Sequence, residues 1–167
     1  MPTLSSALDP AGYPHPKLEG AIRDFARRQP WLDAELAAWF FFEVVRRLPP
    51  DLPGEHLTFG RHERSRPGIN ILLGNYLLAG IYRPRKGRAG PEMVTLDATA
   101  PDSETFGTCP IPVYLSRLPL TGLERIGEWA AWRDFGEACA SLAAAGSHAT
   151  KRPNGWWAKV PLGSLLE

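Results

Sequence analysis

The chain has 167 residues, 44% of them hydrophobic and 22% charged, with a formal net charge of +1. That length and apolar content fit one domain with a substantial core, and the near-neutral total excludes inferring an anionic partner from overall charge alone. Two cysteines, Cys109 and Cys139, form no CxxC pair and have no metal-ligand spacing, which argues against a disulfide-stapled secreted fold and for a reducing cytosol.

Residues 1–16 hold four prolines and a glycine and predict an extended or mobile lead-in to a single α+β domain over residues 17–167. The start carries no basic cluster and no apolar stretch of signal-peptide length. From Lys17 to Arg28, Leu18, Ala21, Ile22, Phe25 and Ala26 follow helical spacing, and Pro30 breaks the pattern. A second helix is predicted from the N-cap Asp33 to about Leu48, where Pro49-Pro50 stops it. Leu36, Trp39, Phe40, Val44 and Leu48 make a wide apolar stripe, as expected of a core helix. The most apolar window, residues 34–45, is interrupted by Glu35 and Glu43 and is too short to span a bilayer. A cytoplasmic protein with no membrane partner is expected.

The period then changes. His56–Gly60, Ile69–Leu73, Tyr76–Tyr82 and Met93–Leu96 are short apolar or β-branched runs bounded by turn residues, and Gly74-Asn75 is a two-residue hairpin signal. A fifth strand is expected at Ile111–Leu115, confined to an edge by Pro110 and Pro112. Thr121-Gly122-Leu123-Glu124 forms a capping box for a last helix through Ala130, Trp132 and Phe135, with Gly146 as its terminator. The ending, residues 163–167, has the look of another element beginning, as in one domain of a longer chain. The order ααβββββα predicts an α+β fold, an antiparallel β-meander of four to five strands with two N-terminal helices and one C-terminal helix packed on it.

Charge is unevenly spread along this order. Residues 61–88 carry Arg61, Arg64, Arg66, Arg83, Arg85, Lys86 and Arg88 against Glu63 alone, a local balance of +6 inside a total of +1. In a meander alternate loops project from the same end, so the loops after the first and third strands, 61–68 and 83–91, are expected to converge on one rim with His62 among the cations. Clustered arginine favours bidentate grips on phosphate or carboxylate. Near the end, Lys151 and Arg152 precede Trp156-Trp157, a combination of cations and indoles suited to stacking on bases, although paired tryptophans also serve as core residues. A solvated basic loop is the plain alternative for the first cluster.

These features predict a nucleic-acid-binding or recognition module, for DNA or RNA, without catalysis of its own. The alternatives are a protein-interaction or regulatory module with an acidic partner, and a metal-dependent phosphodiester-cleaving enzyme using Asp97, Asp102 and Glu104. The latter acids are expected at the end of the sheet opposite the cations, which counts against them. Cys109 with His15, His56, His62 or His148 forms no ordered nucleophilic arrangement. His56 and His62 alone make no metal site, no GxSxG or P-loop pattern is present, and no cofactor is expected. RRM, KH, zinc-finger and helix-turn-helix patterns are absent.

Overall fold

A computed structural model describes residues 13–64, 66–87, 90–97, 114–117, 127–145 and 158–167. Helix α1 spans Pro16–Arg27 and begins with proline, whose missing N–H is harmless in the first turn. Helix α2 spans Ala34–Arg47; the Asp33 side chain caps it, accepting from Leu36 N at 2.9 Å. Arg23 joins the two helices, 2.7 Å from Glu19 on its own helix and 2.8 Å from Glu35 on α2. Tyr13, just ahead of α1, stacks on Phe42 at 4.2 Å. His15 Nδ1 donates to the Leu166 carbonyl at 2.9 Å, tying the start of the described chain to its end.

The sheet consists of β1 (Leu57–His62), β2 (Gly68–Leu73), β3 (Tyr76–Tyr82), β4 (Glu92–Asp97), β5 (Tyr114–Arg117) and β6 (Ala158–Pro161). Its order is β5-β4-β3-β2-β1-β6, with every pairing antiparallel. Strands β1 to β5 form the expected meander. Leu73 pairs with Tyr76 across the Gly74-Asn75 turn, where only Gly74 has positive φ (62°). Glycine at the first central position is the mark of a type II′ turn, whose twist matches the flanking strands. Further along, the register shifts between Ile71 and Leu72, leaving Leu78 as the extra residue of a bulge on β3.

The C-terminal elements differ from the sequence reading. The strand β6, only four residues long and ending in proline, pairs with β1 outside the meander, and the short helix α4 (Leu162–Leu166) follows it. The last long helix, α3, spans Trp132–Ala144 rather than starting at Thr121. Gly127, a poor helix former, lies in a tight turn with Glu128, and its carbonyl accepts from Arg47 Nη2 at 3.1 Å. Thr121–Glu124 and Gly146 lie outside the described residues. Strand β5 is described at Tyr114–Arg117, and residues 110–113 lie outside the described residues.

Helix α2 is apolar nearly all round and is correspondingly buried, from Leu36 through Val44. Three successive rings leave it in three directions. Phe40 meets Trp132 of α3 at 6.2 Å, Phe41 meets Phe59 of β1 at 5.8 Å, and Phe42 stacks on Tyr13. The helices cover the sheet face formed by Phe59, Ile69, Ile71, Leu73, Ala79, Ile81 and Met93. No helix among the described residues is long and apolar enough to cross a membrane.

Cys139 of α3 is fully buried, and burial pushes its thiol from an ordinary 9.0 up to about 12. Burial likewise raises the Tyr82 phenol from 10.0 to about 12. Raised folded-state values mean that the unfolded chain loses these protons first, so the stability they carry is complete below pH 9 and declines as pH rises towards 12. Urea unfolding across that range is expected to show this decline, with a shallower slope for Cys139→Ala. An unchanged slope in that variant would remove the thiol from the account.

Candidate functional site

The loops after β1 and β3 lie side by side at one end of the sheet. Gly68 pairs with both His62 and Tyr82, and Arg83 N donates to the Pro67 carbonyl at 2.9 Å. Glu92 opens β4 directly opposite Tyr82. Its carboxylate is mostly buried and takes three guanidinium groups from three segments of chain. Arg66 of the first loop pairs with Oε2, Arg85 Nε of the second loop lies 3.3 Å from the same oxygen, and Arg117 Nε of β5 donates to Oε1 at 3.0 Å. One carboxylate against three guanidiniums leaves a local excess of positive charge, with each arginine about half exposed at its outer side.

Arg66 also sits over the Tyr82 ring, 5.2 Å from its centroid. That ring lies across two glycines. A Cβ at Gly68 would stand 2.4 Å from Tyr82 Cδ1 and 2.9 Å from the Ile81 carbonyl, and one at Gly80 would meet the ring at 2.7 Å. Both positions therefore require glycine for the ring to lie flat on the sheet. Asn70, between them on β2, donates from Nδ2 to the Tyr82 hydroxyl at 3.1 Å, while its buried Oδ1 has no hydrogen-bond partner. With its pKa raised, Tyr82 keeps its proton at neutral pH.

The other expected site residues divide into three groups. Arg64, Arg83 and Lys86 are exposed on the two loops. Arg61 and His62 are placed differently. Arg61 pairs with Ile69 and so points to the helix-bearing face, where it reaches Asp24 of α1 at 3.7 Å and Glu63 at 3.9 Å. Arg28 joins that group, 3.1 Å from Glu63. His62 is buried on the opposite face of the sheet rather than standing among exposed cations. Arg88, Lys151, Arg152, Trp156 and Trp157 lie outside the described residues.

Glu92, Arg117, Tyr82 and Asn70 are the site members that sequence reasoning missed. Glu92 is the first acid after the second basic loop, and Tyr82 follows Gly80 by two residues. Both signals were present but gain meaning only once the strands are paired. Arg117 comes from β5, far away in sequence.

Asp97 is buried at the far end of β4, and Asp102, Glu104 and Cys109 lie outside the described residues. Among the described residues no group of three or more His, Cys, Asp or Glu side chains is placed to hold a metal ion. Comparison with protein-family models, curated proteins and solved structures finds no match to this chain.

Proposed function

We propose that this protein is a nucleic-acid-binding module that grips phosphates with the arginine-rich rim of its sheet and performs no catalysis of its own. The observation that carries this reading is the convergence of Arg66, Arg85 and Arg117 on one carboxylate. Guanidinium groups held at one place by a shared partner are ordered before a ligand arrives, and their forked donors match phosphate oxygens. Arg64, Arg83 and Lys86 extend the cationic surface around them. A cytoplasmic location fits the buried free thiol of Cys139.

The test is binding of a labelled oligonucleotide at two salt concentrations, with wild type and the Arg64→Glu, Arg85→Glu, Lys86→Glu triple variant. These side chains are exposed, so the variant is expected to fold, which its urea midpoint would verify. Wild-type affinity should fall steeply with salt, and the variant should lose binding by a hundredfold or so, roughly in keeping with the phosphates released. A folded variant that binds like wild type would refute the reading.

A second reading has one observation in its favour. Glu92 is itself a protein carboxylate seated among these arginines, so an acidic protein partner fits the same chemistry. A weak salt dependence, with binding carried by apolar contacts, would select that partner instead.

A further inference from the structure

We infer that the rim selects an unpaired nucleotide, with the outer face of the Arg66 guanidinium, backed by Tyr82, serving as the shelf on which its base stacks. This rests on the nucleic-acid reading above and specifies the form of the ligand.

The argument begins with the two glycines. A strand residue with a side chain at position 68 or 80 would lift the Tyr82 ring off the sheet. Glycine at both places lets the ring lie down, and the hydrogen bond from Asn70 to its hydroxyl fixes it there. Arg66 then rests over the ring on one side and is held at its edge by Glu92. A guanidinium so held loses little freedom when a planar ligand covers its remaining exposed surface. Nucleobases stack on arginine planes as they do on aromatic rings, but only when unpaired and splayed out of a helix. Arg85 and Arg117 share the carboxylate with Arg66, so two further guanidiniums stand beside the shelf and can pair with phosphates of the same strand.

A second observation lies at the foot of the same ring. The Asn70 amide leaves one polar atom unpaired inside the protein. Reversing the amide would exchange which atom that is without removing the deficit, because the Tyr82 hydroxyl takes one of the two. A buried unpaired group carries a real desolvation cost. Asn70 thus anchors the Tyr82 hydroxyl at the expense of its own hydrogen-bond balance.

The experiment compares single-stranded and duplex oligonucleotides of equal length and sequence, bound to the full chain and followed by fluorescence anisotropy. Wild type is expected to favour the single strand by about tenfold, as one stacked base would provide. Arg66→Lys keeps the charge but has no plane, and should abolish that preference. Lys17→Arg at the start of α1, exposed and paired with Glu167 beyond the end of β1 away from the rim, should leave the ratio as it is. Because Arg66 is a half-exposed loop residue, its lysine variant is not expected to disturb folding. Equal, salt-sensitive binding of both oligonucleotides by wild type would overturn the stacking inference alone, as would an undiminished preference in Arg66→Lys. Binding to neither would overturn this inference together with the reading beneath it.

Discussion

Replacing Phe41 by alanine is expected to lower the free energy of unfolding by about 3–5 kcal/mol, a large share of the roughly 5–15 kcal/mol that holds a domain together. Phe41 is fully buried, crosses Phe40 edge-on at 5.3 Å and meets Phe59 of β1 at 5.8 Å. It is the ring that joins the central helix to the sheet, with rigid elements on both sides that cannot collapse into the space left behind. Phe42, which stacks on Tyr13 at the end of the described chain, has a partner free of secondary structure and should cost less when truncated. Urea titration of both variants decides the matter, since the change in midpoint at constant slope measures stability alone. If Phe41→Ala costs no more than Phe42→Ala, the helix is fastened to the sheet elsewhere.

The parts of this fold that could be read from sequence are those whose signals are local. Asp33 and Pro49-Pro50 bracket α2 within a residue or two, because capping and the missing proline N–H act on neighbouring backbone. The Gly74-Asn75 turn sets the β2–β3 register, because two residues can close a hairpin in few ways. Strand β6 has no such signal. Three of its four residues are exposed and none is buried, and it is a strand because β1 offers an unpaired edge. The capping-box pattern at Thr121–Glu124, which lies outside the described residues, does not open α3: the chain turns at Gly127, Trp129 packs against Trp132 at 5.4 Å, and the helix begins only at Trp132.

The same division runs through the candidate site. The cations of the two loops are legible as residue types, and their adjacency follows from the antiparallel order of β1, β2 and β3. What each cation faces depends on strand parity. Arg61 stands opposite Ile69 and turns to the acids of α1, whereas Arg66 and Arg85 reach Glu92 because β4 starts opposite Tyr82. A charge count along the chain treats Arg61 and Arg66 alike. The paired sheet separates them, one belonging to a mixed-charge network with α1 and the other to a cluster with surplus positive charge.

Glu92→Gln is expected to move stability and binding in opposite directions. The carboxylate is the shared partner of three half-exposed guanidiniums, and ion pairs of that exposure contribute about 0.2–1 kcal/mol each, so a neutral amide in its place should lower stability by about 1 kcal/mol. Against a phosphate the same carboxylate is a repulsive charge. At about 6 Å and an effective dielectric near 20 the repulsion is about 3 kcal/mol before screening, which physiological salt reduces to roughly 1. Removing it should therefore tighten oligonucleotide binding about fivefold at physiological salt and further at low salt, and steepen the dependence on salt by about 0.7–0.9 in log–log slope, the signature of one more effective cation. Paired measurements of urea midpoint and binding across a salt series separate the two roles. If Glu92→Gln weakens binding as well as stability, the arginines need the carboxylate to hold their positions, and its service as their scaffold outweighs its repulsion of the ligand.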